Sequence, residues 1–212
     1  MKAIVIGSTG MVGKQLIIQL LKSNDYTEVV SLVRRQSKVI HPKLKEHVIN
    51  FDLPDTWSHL VSGDVLYSCL GTTIKQAKTQ DSQFKVDFTY QYVVARIAAE
   101  NGVSKYVLVS SAGAHERSPI FYSRMKGKLD ASILSLPFEV ISILRPGQLY
   151  GDRDVNRPAD KISVFIMFLL NKLHILRKYK PINASEVASA MINAAKKEKT
   201  AIYTLNELFG LF

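Results

Sequence analysis

The chain has one cysteine, Cys69, in 212 residues. A single thiol excludes an internal disulfide framework and any site built from several cysteines. Its five histidines never stand at metal-ligand spacing, so no metal is expected. No uninterrupted apolar run is long enough to span a bilayer. The N-terminus lacks a signal peptide's order of parts, because its apolar run is four residues long and leads straight into glycines. These absences predict a cytoplasmic protein. The net charge of +10 would suit a nucleic-acid partner. However, the basic residues are scattered and accompany no nucleic-acid motif, so none is expected. The densest groups are Arg177-Lys178-Lys180 and Lys196-Lys197-Lys199. Attraction of a phosphorylated small molecule, or solubility, explains the charge more plainly.

What is present begins at Lys2-Ala3-Ile4-Val5-Ile6. The run is short and β-branched, and reads as a buried strand. Gly7, Gly10 and Gly13 follow, and then Leu16, Leu20 and Leu21 at helical spacing. The glycines therefore occupy a strand-to-helix turn, where a pyrophosphate can rest on free amides at a helix N-terminus. The spacing is G-x-x-G-x-x-G, which matches only the later part of the G-x-G-x-x-G fingerprint. Gly7 would permit the tight turn, Gly10 the approach to phosphate, and Gly13 the packing of helix on strand.

The second strand, Glu28 to Val33, ends at Arg34-Arg35. An acid at this place hydrogen-bonds the ribose 2′-hydroxyl of NAD, whereas arginine pairs with the 2′-phosphate of NADP. Two arginines and no acid favour NADP(H) over NAD(H). A third strand is expected at Val48 to Leu53, where Asp52 would meet the adenine amino group or cap a helix. A fourth runs from Asp64 to Leu70 and contains Cys69 as a small buried hydrophobe. Leu70-Gly71-Thr72-Thr73 would line the middle of the cofactor. Residues 74–84 are polar and poorly periodic and read as a loop. A helix is expected from Lys85 to Asn101, with Val86, Tyr90, Val93, Val94 and Ile97 on its apolar face and Gly102 as its stop. The fifth strand, Val107 to Val109, delivers Ser110-Ser111, and a sixth runs from Phe138 to Leu144. This alternation predicts an α/β fold, a Rossmann-type doubly wound parallel sheet with helices on both faces. The carboxyl ends of its strands would gather Gly7, Arg34, Asp52, Gly71 and Ser111.

Tyr122 and Lys126 are four apart and share a face if helical. Tyrosine is a poor acid–base group at its ordinary pKa of about 10, and a nearby ammonium favours the phenolate. With nine tyrosines in the chain, the Y-x-x-x-K spacing alone carries almost no information. Its weight comes from Ser110-Ser111 eleven residues ahead of Tyr122, in a chain that opens on a glycine turn. Asn183 or Ser185 would cap a last helix, Glu186 to Lys197, packed through Val187, Met191 and Ala194.

Four segments, GSTGMVG (7–13), LVSSAG (108–113), Tyr122-x-x-x-Lys126 and ILRPGQLYGDR (143–153), resemble an atypical short-chain dehydrogenase/reductase. With PINASEVASAM (181–191), the last resembles the Tat-interacting-protein oxidoreductase subgroup. The resemblance covers nearly the whole chain. It implies cofactor contacts along Gly7, Ser8, Thr9, Gly10, Met11, Val12 and Gly13, and at Tyr122, Lys126, Pro146 and Gly147. It also implies a Ser/Tyr/Lys set carried by Ser111, Tyr122 and Lys126, with Ser110 as the alternative serine. Arg145 is expected to be structural, pairing with an inner carboxylate. One domain, 1–212, is expected, with residues 152–182 inserted as a small C-terminal substrate lobe. The apolar stretch Ile162 to Leu176 reads first as a half-buried helix of that lobe; the alternatives are that it lines an apolar substrate pocket, contacts another subunit, or touches a membrane peripherally. Monomer and homodimer both stay open. The activity implied is NADPH-dependent hydride transfer to or from a small carbonyl or alcohol. The alternatives are a non-catalytic NADP(H) sensor and an epimerase-like isomerase.

Overall fold

The structure, a computed structural model, describes residues 1–151 and 181–211. An inner strand of the main sheet is β1 (Lys2–Ile6), where four consecutive apolar residues are fully buried. Such a run is what a strand covered on both faces requires. The other strands of the main sheet are β2 (Glu28–Val33), β3 (Leu44–Val48), β4 (Val65–Ser68), β5 (Lys105–Val109), β6 (Val140–Arg145) and β9 (Ala201–Thr204). All seven pair in parallel, in the order β3-β2-β1-β4-β5-β6-β9. Two-residue strands β7 (Leu149–Tyr150) and β8 (Ile182–Asn183) pair separately.

Side chains alternate across the sheet, and each face has its own core. Ala3 and Val5 face α1 (Met11–Lys22) and α6 (Ala184–Ala194), among Leu16, Leu20, Val187 and Met191. Ile4 and Ile6 face Trp57, Val94, Leu108 and Leu129 on the other side. Each fully buried Leu or Ile contributes about 1.5–3 kcal/mol. Helix α6 is held to α1 by polar contacts as well. Gln19 Nε2 donates to the Ser185 carbonyl at 3.0 Å, and Ser189 Oγ donates to Gln19 Oε1 at 3.0 Å. Asn183 caps α6 in a reciprocal capping box with Glu186. The doubly wound α/β architecture is therefore as expected.

Three local expectations need correction. The third strand lies at Leu44–Val48, not at Val48 to Leu53. As an edge strand pairing only with β2, it is half exposed and reads as polar. Phe51 is buried, but in a turn where the Asn50 side chain accepts from the Asp52 amide at 3.0 Å. Second, residues 74–84 are not a loop. They form α2 (Ile74–Ala77) and α3 (Gln80–Phe84), started by Thr73 and Thr79, whose hydroxyls accept from Gln76 and Ser82 amides. Helix α3 runs on through a π-turn (Lys85–Thr89) into α4 (Tyr90–Glu100). Third, the edge strand Ala201–Thr204 was not anticipated. The stretch from 152 to 180, with most of the expected lobe and the apolar run, lies outside the described residues. No helix among the described residues is long and apolar enough to cross a membrane.

Candidate dinucleotide and active site

The strand numbering reverses direction about β1, whose neighbours are β2 and β4. A crevice opens at such a switch point, outside the carboxyl ends of the strands. The glycine turn stands there. Gly7 has φ +78°, and a side chain on it would overlap the Cys69–Leu70 backbone at the end of β4. Gly13 is buried against the Gly7 carbonyl, which fills the space of a Cβ. Gly10 is exposed and caps α1 without a side-chain hydrogen bond. Its amide donates to the Gly7 carbonyl at 3.0 Å, and the Lys14 amide makes the first bond of α1, to Gly10. No acid sits in the first turn, so the amides of residues 11–13 remain for an anion. A cradle of exposed Thr9 and Gly10 below an uncapped helix fits a pyrophosphate. Ser8 points inward, and its Oγ accepts from Ser31 Oγ at 2.7 Å, which ties the turn to β2.

Arg34 and Arg35 leave the end of β2 exposed, and among the described residues neither forms an ion pair. Asp52 is exposed and caps no helix. It pairs with Lys85 Nζ at 2.7 Å and accepts from Tyr90 OH at 3.0 Å. The hydrogen bond from Lys85 holds its carboxyl below the usual value. Beyond β4, the Leu70–Thr72 turn is held by Asp87: the Thr72 amide donates to Asp87 Oδ2 at 2.8 Å.

Beyond β5, the Ser110 amide donates to Leu144 O at 2.7 Å and the Ala112 amide to Pro146 O at 2.8 Å. These bonds bring the Ser110-Ser111 and Pro146-Gly147 turns together. Ser110 is buried with its hydroxyl unpartnered, while Ser111 is partly exposed. On α5 (Phe121–Leu134), Tyr122 is 38% exposed in the first turn and Lys126, one turn on, is 3% exposed. Gly127 lets the His115–Glu116 chain cross where a side chain would be.

Lys126 Nζ stands 3.3 Å from Asp87 Oδ1, in a pair almost wholly buried. Burial opposes the lysine's charge, but Tyr122 and Asp87 outweigh it and hold the Lys126 pKa above its ordinary value. Burial pushes the Asp87 carboxyl up, against the pull of Lys126 and the Thr72 amide. Behind them Arg145 Nε meets Asp130 Oδ2 at 2.8 Å, the inner carboxylate expected of Arg145. Among the described residues no three His, Cys, Asp or Glu groups gather as a metal site.

Sequence reasoning missed Asp87, Gln91, Ser31 and Gly127. For the first two a signal existed. Gln83, Asp87 and Gln91 are polar residues at four-residue spacing, in line with the apolar Val94 and Ala98. Ser31 sits in an otherwise apolar strand, and nothing in the sequence alone marks its partner.

Fold and glycine turn together define a Rossmann-type protein with a crevice of the dinucleotide-binding kind. A family profile described as NAD(P)H-binding matches residues 7–135, and the chain belongs to that family. Among its relatives is a protein named "Protein fmp52, mitochondrial" from Emericella nidulans, 33% identical over 201 residues, covering 91% of this chain and 86% of the relative. The protein of the same name from Meyerozyma guilliermondii is 32% identical over 223 residues and covers 95% of both. The solved structure of MoeE5 in complex with UDP-glucose and NAD superposes with a TM-score of 0.70 at 15% identity, over 99% of this chain and 80% of that one. At that identity the likeness shows the fold. The relatives' names overturn the cytoplasmic expectation. Lack of a signal peptide's pattern and of a spanning run says nothing about which interior compartment a protein occupies.

Proposed function

We propose that this chain is an NADP(H)-dependent oxidoreductase of the atypical short-chain dehydrogenase/reductase type, acting on a small carbonyl or alcohol. The observation that carries the reading is the pair on α5, an exposed Tyr122 one turn ahead of a buried Lys126. It stands in the same crevice as an uncapped glycine turn. The nicotinamide, when bound, supplies or accepts the hydride. Tyr122 gives a proton to the carbonyl oxygen, or takes one from the alcohol, and the Lys126 ammonium stabilises the phenolate left behind. Ser111, the more exposed of the two serines, donates to that oxygen, while Ser110 faces the core.

In this reading Gly7 to Gly13 cradle the pyrophosphate, with Arg34 and Arg35 at the 2′-phosphate and Asp52 beside the adenine. Leu70, Gly71, Thr72, Pro146 and Gly147 border the rest of the cofactor. The described residues belong to one domain in this reading, and most of the expected lobe at 152–182 lies outside them. The motifs at 143–153 and 181–191 support the Tat-interacting-protein subgroup, and the relatives' names support a mitochondrial setting. A second reading, an NADP(H) sensor without turnover, is favoured by one feature: Asp87 already engages the Lys126 charge.

A panel of aldehydes and ketones, with NADPH oxidation followed at 340 nm, decides between the two. The enzyme reading expects turnover on part of the panel that falls about 10²–10⁴-fold in Tyr122→Phe, with cofactor affinity kept within a few-fold. Turnover that is absent throughout, or unchanged in the variant, would remove Tyr122 from the chemistry.

A further inference from the structure

Tyr122 stands in the first turn of α5, and that turn begins without a side-chain cap. Its N-cap, Ile120, accepts no amide through its side chain, and no acid stands in the first turn. A helix start of this kind frays, because its leading amides have no partner. The one charge there has the wrong sign. Arg124 closes the first turn at the positive end of the helix dipole, where a cation is disfavoured. Its guanidinium reaches back to the incoming chain instead. Arg124 Nη1 donates to the Ser118 carbonyl at 2.7 Å and to the Pro119 carbonyl at 2.9 Å. Two consecutive carbonyls converge on one cation only if the chain bends tightly. The bend is braced from within, since the Ile120 amide donates to Ser118 Oγ at 3.2 Å and the Ser118 amide to His115 O at 3.0 Å. The Arg124 amide adds a bond to Ile120 O at 2.9 Å. One residue thus holds all three carbonyls that lead into the helix.

The stretch so held is the connector between the two hydroxyls of the site. It leaves Ser111 at one end and arrives at Tyr122 at the other. Near Ser111 it is fixed by the Ala112 amide on Pro146 O, at 2.8 Å. Halfway along, the His115 amide donates to Ser123 O at 3.1 Å, where the chain crosses α5. The last bend before Tyr122 is fixed to α5 by Arg124. We propose that Arg124 is a positioning residue of this site: its grip on the Ser118 and Pro119 carbonyls replaces the missing cap of α5 and sets Tyr122 against Ser111. The proposal rests on the role given to Tyr122 above. Charge-assisted bonds from a guanidinium suit this task, because the planar group loses little freedom for each bond it makes.

The test pairs steady-state kinetics with amide hydrogen exchange in Arg124→Met, which keeps the apolar stem and removes the donors. With the best aldehyde of the panel above, kcat should fall about ten- to hundred-fold, the cost of a misplaced proton donor. The aldehyde KM and the NADPH affinity should stay within about threefold of wild type, because neither ligand is held by Arg124. Arg124→Lys, whose ammonium can still meet a carbonyl, should recover part of the lost kcat. A residue that served the fold alone would lower the unfolding temperature and leave kcat of the folded protein unchanged. That result would overturn the proposal. In the ligand-free protein, the Ile120 and Arg124 amides should exchange at least about tenfold faster in Arg124→Met, while those from Leu129 onward keep their protection. Unchanged exchange at these two amides would also overturn it. If Arg124→Met does not fold, unchanged exchange and kcat in Ser118→Ala, which removes the inner brace, overturn it instead. Exchange needs neither cofactor nor substrate, so a wild type that reduces no carbonyl would sink the functional reading separately.

Discussion

The carbonyl oxygen of Gly7 fills the space that a side chain on Gly13 would need, so strand β1 and helix α1 meet backbone to backbone. Gly13→Ala must push α1 off the strand. The expected cost is about 1–3 kcal/mol of stability, and NADPH affinity should fall at least tenfold as the helix N-terminus moves. Gly10→Ala is the contrasting case. Its Cβ would stand 3.2 Å from the Gly7 carbonyl and otherwise face the crevice. It should weaken NADPH binding with little change in unfolding temperature. Fluorescence titration together with thermal unfolding separates the two.

Arg34 and Arg35 have no partner among the described residues to lose. Replacing both with alanine should therefore leave stability within about 0.5 kcal/mol. The same change should weaken NADPH binding ten- to hundred-fold, the range of a lost charge-assisted hydrogen bond or two, and leave NADH binding unaltered. Equal losses for both cofactors would mean that the arginines serve something other than the 2′-phosphate.

Asp130 is buried with Oδ1 unpartnered, and Oδ2 depends on Arg145. Burial raises its carboxyl pKa, against the pull of the Arg145 guanidinium. Arg145→Met removes one restraint and leaves a buried charge, at a cost of about 3–5 kcal/mol at neutral pH. A carboxyl whose folded pKa is raised binds its proton more tightly when folded, so stability returns as pH falls and is lost as pH rises through the folded value. Urea unfolding at pH 7 and pH 5 should show the variant closer to wild type at the lower pH. Asp130→Asn combined with Arg145→Met should lose less than the two single changes added together.

Cys69 is only partly covered as a residue, yet burial pushes its thiol up to about 12. The sulfur lies 3.6 Å from Met191 Sδ. At pH 8 about one thiol in ten thousand is then ionised, so alkylation of the folded protein should be orders of magnitude slower than in urea. The rate should rise about tenfold per pH unit between pH 8 and 10. A plateau near pH 9 would contradict the burial of the thiol.

Much of this architecture is legible in the sequence because it is written in backbone terms. Short apolar runs covered on both faces, glycines where a Cβ cannot fit, and strand ends gathered at one edge all follow from local pattern. Edge strands are harder. Leu44–Val48 pairs on one side only and looks polar, while Ala201–Thr204 is short and comes after the last obvious helix. The α2 and α3 turns were hidden because Thr73 and Thr79 act as caps within a polar stretch that lacks periodicity. The site splits in the same way. Tyr122 and Lys126 can be found by their spacing, but Asp87 reaches Lys126 across 39 positions of sequence, through a π-turn that no local propensity announces. Ser31 and Ser8 likewise meet only because β2 lies beside β1.

Titration of the purified protein with NADPH and, separately, NADH, followed by nicotinamide fluorescence, tests the central claim most directly. The glycine turn and the exposed arginines predict tight NADPH binding and NADH binding at least tenfold weaker. Failure to bind either dinucleotide would contradict the account of this crevice as a cofactor site.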